Sequence, residues 1–381
     1  MSTPKRRVIF FAPYKQSEAA VYASAMASFI VKKTVDIRKY NFEYVTLDPI
    51  SSYCSPLIDH CVRRIVSPND FARRLRGYTA QGDKVQAKAV YWFDYRRDYI
   101  DKSKGCQNYL FADYVKWDWE QMCSSKKYQS IILPTKQLDN RFNNCLMGSP
   151  YGAQACYPGS FRTLKPTRCD LINPEQIKVT ISMCGIKNPS NRLAILKNIV
   201  KTLEERTDVF ITLLMDGKSY REEAQFVEKM GLECSDKCLV INCFSDFEYL
   251  NIVEQHDLFI DLNPMNHVGY FLSAALHQGL LVAGFDQPIY RDILDNGKFG
   301  VLFKGQMKEF GYGFDRVVPN WDRLFNLVNK KLFNRRNLVT FMERRNNVPY
   351  FQATLEQRLD TFMRMWDYFC NLKMQCYSFV E

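Results

Sequence analysis

No apolar run in this 381-residue chain approaches the roughly eighteen residues that a membrane-spanning helix requires. The opening, MSTPKRRVIFFAPYK, holds an apolar stretch of only four residues, Val8 to Phe11, too short for the core of a secretory leader. Paired metal-ligand spacing is missing too. Cys234, Cys238 and Cys243 form one cluster and Cys54, His60 and Cys61 another, and neither has the C-x2-C pairing that sets two thiolates on one zinc ion. No D-x-D stands where it would form a metal site, and there is no internal repeat or low-complexity tract. The thirteen cysteines are irregularly spaced, which excludes a disulfide framework and implies reduced thiols. The expected compartment is cytoplasmic, with no transmembrane segment.

What is present suits two α/β domains. The chain is long enough for two cores, and 46% hydrophobic with 24% charged residues is ordinary for a folded protein. The formal net charge is +11, and it is unevenly placed. Residues 1–175 hold 27 Lys and Arg against 16 Asp and Glu, whereas the remaining 206 hold 25 of each. A charge serving solubility alone would spread over both halves. A basic first half is instead an electrostatic footprint for a polyanion, either nucleic acid or an anionic membrane surface.

Strand and helix patterns alternate along most of the chain. RVIFFA (7–12) reads as a buried strand, 18–33 as a helix rich in alanine, and EYVTLD (43–48) as a second strand. KAVYWFDY (88–95) and YQSIILPT (128–135) are later strands, with a helix expected over YLFADYVKWDWEQM between them. Residues 143–176 lose periodicity and read as irregular structure leading into a linker near 169–176.

A second series follows. Its strands are KVTISMCG (178–185), VFITLLMDG (209–217), CLVINCF (238–244), LFIDL (258–262), LLVAGF (280–285) and FGVLF (299–303). An amphipathic helix at 191–207, a helix over REEAQFVEKMG and a short one capped by Ser245 separate the first of them. The tail 352–373 reads as one long helix with Leu355, Leu359, Phe362, Met363, Trp366 and Phe369 on one side. The expected fold class is therefore α/β, with two Rossmann-like doubly wound domains facing a cleft. The expected domains are 1–172 and 173–350, with 351–381 as a C-terminal helix packing back on the first.

The stretch DLNPMNHVGYFLSAALHQGLLVAGFDQPIYRDIL, Asp261 to Leu294, is the candidate ligand site. A strand ends, a polar loop turns, and a helix begins near Tyr270 with its N-terminus at the carboxyl end of the sheet. Unpaired N–H groups there suit a diphosphate. Gly269 is expected to let the backbone approach the ligand, with the N–H groups of Val268 through Phe271 as donors.

These residues carry a resemblance to the nucleotide-sugar domain of GT-B glycosyltransferases of the family-4 type. KVTISMCG with IKNPSNRL resembles that family's strand, glycine and basic turn. CLVINCFSDFEYLNIVEQHDLFIDLN resembles the strand, short helix and aspartate-led strand beside the donor. NHVGYFLSAALHQGLLVAGFDQPIYRDIL, with NGKFGVLF, resembles the donor loop and its helix. The resemblance covers roughly 178–304, with a weaker echo at the N-terminus. It implies a nucleotide-sugar donor, UDP-sugar and notably UDP-glucose, with no tightly bound cofactor. The leaving diphosphate would be stabilised by basic side chains and helix ends rather than by a metal. Gly185, Lys187 and Arg192 are the candidates for that role, and His267, Val268, Gly269 and Tyr270 complete the donor loop. The family's two glutamates, separated by seven residues, fall on Asn266 and Ala274 when aligned on Gly269, so both carboxylates are missing.

For the acceptor, Asp94 ends a first-domain strand and is the candidate catalytic base, positioning or deprotonating a hydroxyl. Arg63-Arg64, Arg73-Arg74-x-Arg76 and Arg96-Arg97 are suited to bidentate phosphate contact. They are interleaved with Tyr78, Tyr91, Trp92, Tyr95 and Tyr99, which suit stacking on an extruded base. These point to double-stranded DNA as partner and to sugar transfer onto hydroxymethylated pyrimidines. That reaction is similar in concept to that of the α-glucosyltransferases of T-even phages, which places the protein in a viral setting. Two other readings stand beside it: transfer to a glycan or lipid intermediate, and a non-catalytic nucleic-acid-binding module on a decayed GT-B fold.

Overall fold

The computed structural model describes residues 6–13, 18–34, 37–49, 62–78, 84–94, 96–111, 130–133, 153–155, 168, 170–242, 246–266, 269–309, 315–351 and 356–357. The chain separates into two compact units. The first comprises Met1–Lys15, Ala19–Phe161 and Gln357–Glu381, and the second Gln16–Glu18 and Arg162–Glu356.

The first unit is built on a seven-stranded sheet in which every pairing is parallel. β1 (Arg6–Phe11), β2 (Tyr40–Thr46) and β3 (Val62–Arg64) run outward on one side of the start. A separate hairpin, β4 (Arg76–Tyr78) with β5 (Lys84–Gln86), follows in the chain. β6 (Ala89–Trp92), β7 (Gln107–Phe111), β8 (Ser130–Leu133) and β9 (Ala153–Ala155) then extend the sheet on the other side of β1. Parallel strands covered on both faces read as continuous apolar runs, and Val8–Phe11 and Ala89–Trp92 are buried without alternation. α1 (Glu18–Lys33), α2 (Pro68–Leu75) and the short α3 (Arg97–Ile100) accompany this sheet. Ser67 starts α2 by accepting the N–H of Asp70 at 3.1 Å, and Pro68 supplies the preset φ of a first helical turn.

The second unit has a six-stranded sheet, also parallel throughout. Its strands are β10 (Ile177–Ser182), β11 (Val209–Leu214), β12 (Cys238–Ile241), β13 (Leu258–Asp261), β14 (Leu281–Phe285) and β15 (Val301–Phe303). They lie in the order β12-β11-β10-β13-β14-β15, the doubly wound order in which the chain reverses direction between β10 and β13. α4 (Pro189–Glu205), α5 (Gly217–Lys229), α6 (Asp246–Glu254), α7 (Tyr270–His277) and α8 (Pro288–Ile293) connect these strands. The hairpin β16 (Gln306–Glu309) with β17 (Asp315–Val318) follows, then α9 (Trp321–Leu327), a π-helical turn (Val328–Leu332) and α10 (Arg335–Asn346). The core of this unit joins strand residues such as Val179, Ile211 and Ile260 to Ile195, Ile199 and Leu203 of α4. Each such side chain contributes roughly 1.5–3 kcal/mol on burial.

Three expectations change. The segment beginning at Tyr109 was expected to be helical, but Gln107–Phe111 is β7, paired with β6 and β8 and buried from Asn108 onward. Its short apolar run carries no 3.6-residue period, and burial on both sheet faces decided its state. Within 143–176, expected to be irregular, Ala153–Ala155 adds an edge strand to β8. Tyr91 and Trp92 were expected to stack on a base, but both are fully buried in β6. Tyr91 stacks on Tyr109, and the Trp92 indole N–H donates to Asn108 Oδ1 at 2.9 Å. Tyr95, Ser245 and all but residues 356–357 of the 352–373 helix lie outside the described residues.

Candidate functional site

The reversal point of the second sheet is where a doubly wound fold places its ligand. Ser182 and Asp261, the last residues of β10 and β13, stand side by side there in register. After Ser182 the chain turns at Gly185 with φ +81°, and a Cβ at that position would lie 2.7 Å from Asn263 Nδ2. The turn after β10 thus packs directly on the loop after β13, and only glycine satisfies both demands. Gly185 N–H donates to Asp216 Oδ2 at 3.1 Å, while the same carboxylate caps α5 by accepting Ser219 N–H at 2.8 Å. Three strand ends are joined in this way.

The loop after β13 is organised by Asp261, which is 1% exposed. Its carboxylate accepts Asn263 N–H at 2.9 Å, Asn266 Nδ2 at 3.1 Å and the Tyr290 hydroxyl. Burial pushes its pKa up to about 6 against the pull of those hydrogen bonds. The Tyr290 hydroxyl is pushed well above its ordinary range by burial and then by the Asp261 and Glu18 charges. Gln287 ties the loop from the other side, accepting Asn266 N–H at 3.1 Å and donating to Asn263 O at 3.1 Å. The Pro-x-Tyr-Arg of the sequence is thereby explained. Pro288 opens α8, Tyr290 holds Asp261, and Arg291 pairs with Asp286 at 2.6 Å.

Gly269 caps α7 at φ +61°, and a Cβ there would lie 2.5 Å from Ile293 Cδ1. Glycine is needed for backbone shape and for packing against α8, a different reason from the ligand approach expected of it. The N–H groups at this helix start are engaged: Gly269 donates to Asn266 Oδ1 at 2.8 Å, and Phe271 to Glu18 at 3.1 Å. Glu18 belongs to the second unit, is 9% exposed and also accepts Asn266 Nδ2 at 2.8 Å. A carboxylate thus holds the helix terminus where the sequence pointed to a phosphate. Tyr270 is buried in α7, and His267 and Val268 lie outside the described residues.

Of the basic candidates, Lys187 is exposed beside the Gly185 turn. Arg192 is 2% exposed, and its guanidinium donates to Glu222, to Glu223 at 3.1 Å, and to the carbonyls of Ile186 and Lys187 at 3.0 and 3.1 Å. It braces the turn that carries Lys187. Cys184 is buried beside Asp216 and Glu18, and burial raises its thiol pKa far above the ordinary value. Sequence reasoning missed Asp261 and Glu18 as organisers of the site. Asp261 had a signal, being the one polar residue that ends the apolar strand Leu258–Asp261.

In the first unit the sheet order reverses between β1 and β6, and Asp94 lies two residues past the end of β6, after Phe93. It is 8% exposed and pairs with Arg96 Nε at 3.4 Å. Arg63 and Arg64 are exposed on β3. Arg73 and Arg74 close α2, with Arg73 at 3.5 Å from Asp70, and Arg76 is exposed at the start of β4. Arg97 opens α3, and its side chain lies outside the described residues.

Both sheets follow the doubly wound order, and solved structures share the arrangement. Anabaena HepE in complex with UDP-glucose matches with a TM-score of 0.60 at 10% identity, over 96% of this chain and 100% of that one. WaaG, a glycosyltransferase involved in lipopolysaccharide biosynthesis, matches at 0.55 and 13%, over 93% and 99%. The sucrose-phosphate synthase of Thermosynechococcus elongatus matches at 0.54 and 10%, over 95% and 100%. No family model matches the chain, and no curated protein matches it in sequence. The chain has the α/β fold of GT-B glycosyltransferases.

Proposed function

We propose that this protein is a glycosyltransferase that moves a sugar from a nucleotide-diphosphate donor, a UDP-sugar, to a hydroxyl acceptor. The observation that carries the reading is the built reversal point of the second sheet. There a glycine turn with an exposed Lys187 adjoins the polar loop of Asp261, Asn263 and Asn266 on a GT-B fold. Fold alone does not define activity, so the reading rests on this site.

In the proposed mechanism the acceptor oxygen attacks the anomeric carbon while the bond to the diphosphate breaks. Negative charge grows on the leaving diphosphate, and Lys187 with the Gly185 turn supplies compensating charge and dipole. Arg192 acts as a positioning residue, since its guanidinium is committed to Glu222 and Glu223. His267 and Val268 are the proposed donor-binding residues of the loop after β13, while Gly269 and the buried Tyr270 hold its shape. Asp94 takes the acceptor proton, its position at the reversal point of the first sheet being the support for that role.

The proposed acceptor is a hydroxymethylated pyrimidine in duplex DNA. Support comes from the charge excess of residues 1–175 and from exposed Arg73, Arg76 and Arg96, with Arg74 and Arg97 completing the arginine pairs. The buried Tyr91 and Trp92 do not contribute, so base recognition falls to other groups. The test is transfer from a panel of UDP- and GDP-sugars to duplex DNA carrying hydroxymethylcytosine or hydroxymethyluracil, read by mass spectrometry of the digested nucleosides. A gain of one sugar, abolished by Asp94→Asn and weakened by Lys187→Ala, is expected. Donor hydrolysis without any nucleoside gain would move the acceptor to a glycan or lipid, and salt-sensitive DNA binding without hydrolysis would mark a decayed enzyme.

A further inference from the structure

Although the second half of the chain is neutral overall, its charge is segregated. Residues 321–346 hold seven basic and two acidic side chains. Part of that excess lines a cavity of about 880 Å³ in the second unit, between the end of β15, the β16–β17 hairpin and α9 with its π-helical extension. Lys304, Arg323, Lys330 and Lys331 are exposed around it, and among the described residues no acidic side chain lines it. Among the described residues none of the four has an ion-pair partner. Four cations gathered around one concave surface repel each other, and an anion bound among them would relieve that repulsion.

The floor is different in kind. Phe285, Phe303 and Leu324 are buried beneath it, and Leu327 stays 39% exposed at its margin. The π turn is what brings two consecutive lysines here. Phe333 N–H reaches back to Val328 O at 2.9 Å, so one extra residue is wound into the turn and Lys330 and Lys331 both line the cavity. Such insertions carry a local cost and cluster at functional sites. The volume lies in the range of small-ligand pockets.

We propose that this cavity binds a phosphate monoester with an apolar body, its anionic group held by Lys304, Arg323, Lys330 and Lys331 and its body laid on the Phe303–Leu324–Leu327 floor. Unlike the transferase reading, this assignment draws on no residue of the β10–β13 site. An extended polyanion fits less well, because a phosphodiester backbone has no apolar part to fill the concave floor. The same headgroup chemistry is available from a soluble phosphate ester or from a lipid surface, and the test separates them.

Titration calorimetry of the full chain would use dihexanoyl phosphatidic acid below its micellar limit, with dihexanoyl phosphatidylcholine and inorganic phosphate as controls. Flotation with phosphatidylcholine vesicles, with and without phosphatidic acid, forms the second arm. The short-chain phosphatidic acid is expected to bind, and the Lys330→Glu/Lys331→Glu protein to bind it about a hundredfold more weakly, with its thermal midpoint not lowered. Leu327→Asn is expected to weaken the short-chain lipid and leave inorganic phosphate unaffected. Flotation that depends on phosphatidic acid and on both lysines would identify a lipid surface as the source, and binding confined to the soluble ester a free metabolite. Equal affinity in the double variant, equal binding of phosphatidylcholine, or inorganic phosphate binding as tightly as the lipid would each overturn the proposal. So would duplex DNA binding through these lysines with no lipid phosphate bound.

Discussion

Two buried groups in the second unit titrate in opposite senses. His256 is 5% exposed and is held neutral, with its pKa lowered to about 4, chiefly by burial and further by Lys178 and Arg168. Donation from Nδ1–H to Ile252 O leaves Nε2 to accept the Thr212 hydroxyl at 2.7 Å, a network only the neutral ring completes. Because the folded pKa lies below the unfolded 6.5, the stability this residue contributes is full above pH 6.5. It is lost as pH falls to about 4, a span worth about 3 kcal/mol. Asp261 has the reverse sign: its pKa is raised from 3.8 to about 6, so its contribution is full below 3.8 and lost as pH rises through 6. In urea titrations between pH 4 and 6 the two slopes are expected to offset one another in the native protein. Asp261→Asn should expose the His256 slope, with stability falling as acid is added, and His256→Gln should show stability rising instead. Two parallel curves would sink the argument. At the same scale, Gly269→Ala meets Ile293 at 2.5 Å and forces φ +61° on alanine, so a loss of about 1–3 kcal/mol with weaker UDP binding is expected from thermal melts and calorimetry.

At the scale of elements, α4 and α5 are joined by Arg192 rather than by apolar packing alone. Its side chain is 2% exposed, and those of its partners Glu222 and Glu223 are 40% and 11% exposed. Removing the cation leaves Glu223 nearly buried without its charge partner, whereas Glu222 relaxes into water. Arg192→Ala is expected to cost about 3 kcal/mol, the low end for breaking a buried pair, read as a lowered urea midpoint. Adding Glu223→Gln should recover part of it, and an Arg192→Ala protein of unchanged midpoint would contradict the bracing role. This pair also marks the limit of legibility. The helix itself was readable, because Ile195, Leu196, Ile199 and Leu203 recur at helical spacing and all four are buried. The arginine's partners, thirty residues away, left no local trace, so the residue read as a phosphate ligand. Strands of the second sheet were legible as short apolar runs between turns. β7 was not, since residues 107–111 carry no period that separates a buried strand from a helix. The loop after β13 stood out by its glycine and polar residues, but its organisation around Asp261, Tyr290 and Glu18 depends on pairings of long sequence separation.

At the scale of the whole molecule, charge and fold carry different information. The GT-B architecture is shared by proteins of unlike roles, HepE holding UDP-glucose, WaaG serving lipopolysaccharide biosynthesis and sucrose-phosphate synthase, so it leaves the acceptor open. The distribution of charge is specific to this chain, and it is testable without knowing the acceptor. If residues 1–175 form a surface for duplex DNA, binding must release counterions, and log K must fall linearly with log salt by about 0.9 for each phosphate neutralised. Arg73, with a side chain 80% exposed, and the exposed Arg76 are suited to that role and lie outside both cores. Arg73→Gln/Arg76→Gln is expected to weaken binding to any duplex alike and to flatten the slope by about two, measured by fluorescence anisotropy over a salt series. Lys201→Gln, a charge with a side chain 69% exposed on α4 of the second unit, is expected to leave the slope as it was. A slope that responds to both substitutions equally would reduce the first-half charge to a diffuse field. One that responds to neither would remove duplex DNA as the partner, whatever the transferase reading itself becomes.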